Sequence, residues 1–178
     1  MRRVLFAAVA ACLVTSAAMA QEWSAPAPLH SDPAFPRAND TDASIAADDQ
    51  GRWMTVWQGV DTAGRDLYST ALSDADPEWG PVRRVNSNFT NIPANDTPAV
   101  AVGADGRWIA VWTSHDDVNG TIGADNDIFW AVSDDNGATW SAVRVLNHYA
   151  ATDAATDHDI SPAIAAGPDG TVVVVWES

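Results

Sequence analysis

Three short polar clusters recur along this chain: Asn39-Asp40-Thr41-Asp42, Asn95-Asp96-Thr97 and Asp157-His158-Asp159. Each sets carboxylates beside amide, hydroxyl or imidazole groups, just ahead of an apolar run. Such sets can hydrogen-bond sugar hydroxyls or ligate a hard cation through oxygen. Asp40, Asp42, Asp96, His158 and Asp159 are therefore the candidate ligand-binding residues. Asp and Asn also make good turns ahead of a strand, so the same clusters have a plain structural use. Two further loops carry polar groups: Thr113-Ser114-His115-Asp116-Asp117, and His148-Tyr149 with Asp153, Asp157, His158 and Asp159. Their spacings match no helical or hairpin set of metal ligands, so no metal ligand is assigned.

The elements that must position these clusters repeat as well. Segment one runs Asp42-Ala43-Ser44-Ile45-Ala46-Ala47, then Gly51-Arg52-Trp53-Met54-Thr55-Val56-Trp57. Segment two runs Thr97-Pro98-Ala99-Val100-Ala101-Val102, then Gly106-Arg107-Trp108-Ile109-Ala110-Val111-Trp112. Segment three runs Ser161-Pro162-Ala163-Ile164-Ala165-Ala166, then Gly170 to Trp176. A second register follows Trp23, Trp79 and Trp140, with an aliphatic residue six positions on and Asn or His at the seventh. A supersecondary unit reused at a spacing of about 55 to 65 residues means stacked copies, because one small sheet cannot bury both its faces.

Each unit reads as four short strands. Ala99 to Val102 and Ile164 to Ala166 suit strands buried on both sides. Trp108, Ala110 and Trp112 alternate with Ile109 and Val111 in a second strand. Asp127 to Val132 gives a third, and Trp140 to Leu146 a fourth. Helix signal is nearly absent. The expected fold is all-β, a partial β-propeller of four-stranded antiparallel blades, with a β-sandwich as the alternative. The expected parts are a lone outer strand at 22–30, blades at 42–86 and 97–147, and a half blade at 161–178. An apolar strand left unpaired at a terminus is an aggregation hazard. The chain is therefore expected to be the front portion of a longer protein, or to associate with itself through open strand edges.

Residues 1–20 resemble a secretory signal: Arg2-Arg3, an apolar run from Val4 to Val14, and Ala18-Met19-Ala20 before Gln21. A lipoprotein reading around Cys12 leaves too short an apolar stretch. Cys12 is the only cysteine, so a chain cleaved after Ala20 carries no thiol or disulfide. The expected location is the periplasm or the outside of the cell. The formal charge is −15, with nine arginines and no lysine against 24 acids. That balance disfavours nucleic acid and anionic membrane surfaces as partners. No cofactor is assigned. Calcium is left open by the acidity, although no stretch supplies the Asp-x-Asp-x-Asp-Gly run with its distal Glu.

Residues 133–140 read Ser-Asp-Asp-Asn-Gly-Ala-Thr-Trp. Asp135 can accept bonds from nearby backbone N–H groups, Gly137 can take a positive φ, and the Ser133 and Thr139 hydroxyls suit the remaining turn groups. Trp140 supplies apolar surface that pins the turn to its blade. Ser133, Asp135, Gly137, Thr139 and Trp140 are therefore assigned a structural role. This pattern resembles the Asp box, or bacterial neuraminidase repeat, of sialidase-like six-bladed propellers. The copy at Ser73 to Trp79 is one residue short and lacks the glycine.

The resemblance implies an exo-α-sialidase type of glycosidase, with an arginine cluster, a tyrosine nucleophile activated by glutamate, and an aspartate acid/base. The family's first arginine would fall at Thr41-Asp42-Ala43, Asp96-Thr97-Pro98 or Ile160-Ser161-Pro162, none of which holds one. The place of its Glu-x-Arg signature is taken by Gln58-Gly59-Val60, which has neither residue. Arg37 could be a displaced clamp or a solvated loop residue; with Asp61 it completes the catalytic candidates. The sequence thus points to a secreted propeller segment that binds glycans or a protein partner and holds no complete active site. The alternatives are the N-terminal part of a sialidase-like glycosidase and a structural surface-display module.

Overall fold

A computed structural model describes residues 28–29, 40–61, 64–73, 78–87, 95–154 and 156–178. The signal-like segment, Arg37 and nearly all of the expected strand at 22–30 lie outside these residues. The side chain of Asp61 is likewise outside the description.

The first sheet pairs β1 (Thr41–Ala47), β2 (Trp53–Asp61), β3 (Gly64–Leu72) and β4 (Arg83–Arg84) in chain order. The second pairs β5 (Asn95–Val102), β6 (Trp108–Ser114), β7 (Asp127–Ser133) and β8 (Arg144–Val145) the same way. A two-stranded third unit joins β9 (Ile160–Ala166) to β10 (Val172–Glu177). Every pairing is antiparallel, and the described residues contain no helix. First strand packs on first strand, β1 against β5 and β5 against β9. The result is two whole blades and part of a third in a partial β-propeller, as the repeats lead one to expect.

The period-2 alternation of strands decides which face meets which blade. Met54 and Val56 leave one face of blade one and meet Trp108, Ala110 and Trp112 from the facing side of blade two. Leu67, Phe129 and Ala131 complete this core. Trp57, on the opposite face of β2, packs with Tyr68 and Val82 in a separate cluster. Trp108, Trp112 and Phe129 are wholly buried. An aromatic side chain of this size hides roughly 150–250 Å², so these three dominate the adhesion between the blades.

Two strand expectations need correction. The fourth strands are short, with only Arg83–Arg84 and Arg144–Val145 on the ladder. The chain from Trp140 onward serves instead as a packed connection, in which Trp140 and Val143 lie against the core. The run Ile164 to Ala166 is not buried on both sides, because β9 has only blade two beside it among the described residues.

Candidate functional site

Antiparallel order puts the β1–β2 and β3–β4 turns at one end of a blade, and the β2–β3 and blade-to-blade connections at the other. The three polar clusters all fall at this second end, where each first strand begins. Each of these strands carries an irregularity at the same place. The register shifts between Thr41 and Ser44, between Asp96 and Ala99, and opposite Val175 and Glu177. Asp42, Thr97 and Ser161 there have φ of 53°, 49° and 56°. Left-handed backbone at non-glycine residues costs of order 1–3 kcal/mol and persists only where neighbours hold it.

The neighbours are visible. Gln58 accepts a bond from Thr41 Oγ1 at 2.8 Å and donates through Nε2 to Asp96 Oδ1 at 2.8 Å. Thr113, at the matching position of blade two, lies 3.1 Å from Thr97 Oγ1 and accepts from Ser161 N at 3.1 Å. In blades one and two, one side chain on the second strand thus ties the bulge of its own blade to the first strand of the next.

The sequence-derived ligand candidates divide into two groups. Asp40 and Asp42 are exposed and, with Thr41, Ala43 and Trp57, line a shallow depression. His158 is exposed, and its Nδ1 accepts from Asn126 N at 3.2 Å. Asp96 serves as a brace, since Arg65 Nη1 of blade one donates to its two oxygens at 2.9 and 3.3 Å. Asp159 is buried, with one oxygen accepting from Trp176 Nε1 at 2.9 Å and the other from Asn147 Nδ2 at 2.6 Å. Asp96 and Asp159 therefore spend their carboxylates within the fold. Asn95, which opens the second polar cluster, is wholly buried between Trp112 Nε1 and the Arg65 carbonyl.

Sequence reasoning grouped Asp153 with His148, Asp157, His158 and Asp159. The structure groups it with Asp125 and Asp127, one carboxylate oxygen from each lying within 4.8 Å of the others. Asp125 was not singled out at all. It is 2% exposed, and neither of its oxygens accepts a hydrogen bond from the protein. Asp127 Oδ2 and Asp153 Oδ1 are also buried and without such a bond. Burial pushes the Asp127 carboxyl up to about 6 against the pull of the Asn147 bond, and Asp125, Asp153 and Asp159 add to the push. These three carboxylates could hold a metal ion. The sequence reading assigned no metal ligand, since these three acids meet only through the fold.

Blade one holds the equivalent corner differently. Leu67 N donates to Asn86 Oδ1 at 2.8 Å, and Asn86 Nδ2 donates to Asp66 Oδ1 at 2.9 Å. In blade two, Ile128 N donates to Asn147 Oδ1 at 3.0 Å, and Asn147 Nδ2 donates to Asp127 Oδ1 at 2.6 Å. Arg84 Nη1 lies 3.1 Å from the second oxygen of Asp66. Arg84 pairs with Tyr68 across the ladder, and the matching partner of Phe129 is Val145. That exchange of arginine for valine was a readable signal for the acid cluster.

The turn at 133–140 lies at the far end of blade two. Ser133 Oγ accepts from Gly137 N and donates to Asp135 Oδ1, both at 2.8 Å. Asp135 accepts from Thr139 N at 2.9 Å and from Thr139 Oγ1 at 2.6 Å. These bonds, the hydroxyl first, hold its carboxyl below the usual carboxylate range. Gly137 has φ 80°, and Trp140 Nε1 reaches Ser69 Oγ of blade one at 3.0 Å. The turn fastens blade to blade and stands apart from the strand-entry end.

No protein-family model matches this sequence, and no curated protein is similar to it at a significant level. Solved structures match in fold. A protein of unknown function from Dyadobacter fermentans has a TM-score of 0.55 and 15% identity, over 74% of this chain and 32% of that one. An endo-arabinase from Bacteroides thetaiotaomicron has a TM-score of 0.52 and 16% identity, over 78% and 51%. An alpha-L-arabinanase from Penicillium chrysogenum, complexed with arabinobiose, has a TM-score of 0.52 and 17% identity, over 76% and 39%. These neighbours share the fold alone. The chain spans about a third to a half of their length, and the likeness does not select the sialidase-like family over other propeller families.

Proposed function

We propose that this chain forms part of an exported β-propeller whose strand-entry end binds glycans, without a complete glycosidase site among the residues present. The observation that carries this reading is the row of three bulged strand entries at one end, with Asp40, Asp42 and His158 exposed beside them. Tyr149 lies on the blade-to-blade connection at the same end, is 68% exposed, and stands edge-on to His148 at 5.2 Å. An exposed aromatic at the same end of the blades as exposed carboxylates suits a sugar, which presents C–H groups on one face and hydroxyls at its rim. Two neighbours of similar fold are named for arabinan-degrading activity, which supports a polysaccharide as the ligand class.

Binding to a glycan array, with Tyr149→Ala and Asp42→Ala each weakening it at least tenfold, is the expected result. A full-length chain that binds no glycan sinks the reading and leaves the surface-display role. Turnover of a fluorogenic sialoside or arabinoside that falls in Arg37→Ala and Asp61→Ala replaces it with the enzymatic one. Export is a separable part of the proposal: sequencing the mature N-terminus should begin at Gln21, and a retained Met1 removes that part.

A further inference from the structure

We propose that Asp125, Asp127 and Asp153 bind a calcium ion that ties the β6–β7 loop to the connection between blades two and three. Acidic side chains often cluster without a ligand, so the argument rests on what these particular oxygens fail to do. Asp125 is buried, and both of its oxygens lack any donor from the protein. A carboxylate taken out of water without partners is strongly unfavourable unless a cation answers it.

A local solution was open to Asp125 and is not used. The chain has the same Gly-x-Asp step at Gly103-Ala104-Asp105 and Gly167-Pro168-Asp169. In those turns the carboxylate accepts the backbone N–H two residues on, from Arg107 at 3.2 Å and Thr171 at 3.0 Å. Asp125 follows Gly123-Ala124 and turns instead toward Asp127 and Asp153. The glycine leaves room for the carboxylate in all three steps, since a Cβ at Gly123, Gly103 or Gly167 would collide with Oδ1 of Asp125, Asp105 or Asp169. Gly123 N also donates to Ala150 O at 2.9 Å, and Asp153 N donates to Tyr149 O at 3.0 Å. The two loops are thus already seated together with their acids converging.

The charge pattern selects the cation. Blade one answers its buried Asp66 with Arg84, and blade two has Val145 in that place while adding two more acids. Oxygen ligands alone favour a hard cation over zinc or copper. Oxygens bound at 2.3–2.6 Å can stand up to about 5 Å apart across a calcium ion, whereas magnesium at 2.0–2.1 Å holds them within about 4.2 Å. All three oxygens lie within 4.8 Å of one another, which calcium can span at any separation up to that bound, and its flexible shell of six to eight oxygens admits water and backbone carbonyls. The ion would lie beside Asp159 at the entry to β9, so it would also order the end of the molecule where ligand binding is proposed, although it does not depend on that proposal.

The test uses the full chain stripped with EDTA and calcium chloride as the added probe. Calorimetric titration should give one site per chain, and Tm should rise by about 5–10 °C at roughly a hundred times Kd. Asp125→Asn and Asp153→Asn should each weaken binding at least tenfold and remove the shift. Asp105→Asn, in the corresponding turn of the hairpin, should keep both. If Asp125→Asn does not fold, Asp153→Asn carries the test from its partly exposed loop. No heat and no shift with the parent chain overturns the proposal, as does an unchanged shift in Asp153→Asn. Magnesium binding with equal affinity overturns the assignment to calcium.

Discussion

Blades one and two hold the same buried corner in two ways. In each, an aspartate near the start of the third strand accepts from an asparagine on the fourth-strand connection, and that asparagine accepts the next backbone N–H. In blade one a guanidinium on the adjacent strand completes the arrangement. In blade two the adjacent residue is valine, and two more carboxylates lean in from flanking loops. The comparison teaches that the repeat fixes the buried acid and leaves its counter-charge free to vary. A built-in cation makes one corner independent of the medium, while the other comes to depend on what the medium supplies.

Removing the built-in cation should have the largest effect. Arg84→Met leaves Asp66, 4% exposed, without its ion pair and also loses the guanidinium over the Tyr68 ring. Since the Arg84 side chain keeps 30% of its exposure, we expect a loss of about 2–3 kcal/mol, below the full cost of orphaning a buried charge. Urea denaturation should show the same loss with calcium and with EDTA. A loss that calcium restores would mean that the two corners are not independent.

The reciprocal exchange is smaller and sharper. Val145→Arg places a guanidinium where blade one has it, opposite Phe129 as Arg84 is opposite Tyr68. The variant should gain about 1–2 kcal/mol in EDTA, because a fixed positive charge answers the buried acids. It should also lose the calcium-induced rise in Tm. A variant that keeps its full calcium response would separate the arginine from the ion and break the comparison.

The sequence carried the architecture well and the corner poorly, for physical reasons. Blades show themselves through indoles at fixed offsets from glycines, because stacking interfaces demand large apolar groups at the same ladder positions each time. The strand-entry bulges were legible as polar clusters, but not their φ values, since Asp42, Thr97 and Ser161 share no residue type. Asp96 and Asp159 were chosen as ligand groups on residue type and their recurring place ahead of a strand, and their partners, Arg65 and Asn147 with Trp176, lie 12 to 31 residues away. The acid trio joins two loops through their tertiary seating, so no local spacing announces it. Its signal was a non-match between repeats, valine for arginine, which a search for similarity passes over.

The turn at 133–140 supplies the smallest effect and a control at the opposite end of blade two. Asp135 is held in its charged form by Thr139 and is exposed, so its interaction is well screened. Its folded pKa lies below the unfolded value of about 3.9, so its contribution is fully present above that pH and is lost as pH falls through the folded pKa. Thr139→Val removes the hydroxyl bond at 2.6 Å and keeps the backbone bond at 2.9 Å. The variant should lose only a few tenths of a kcal/mol at neutral pH, and its unfolding should depend less on acid below pH 4. Calcium should leave that difference unchanged, because the side-chain bonds of Ser133, Asp135 and Thr139 stay within the turn, and the outside contacts of Trp140 with Ser69 and of Asp134 with Arg107 lie at the end of the blade away from the acid trio. A calcium-dependent Thr139→Val effect would mean that the two ends of blade two are coupled through the sheet, and blade one could then no longer serve as the calcium-free reference.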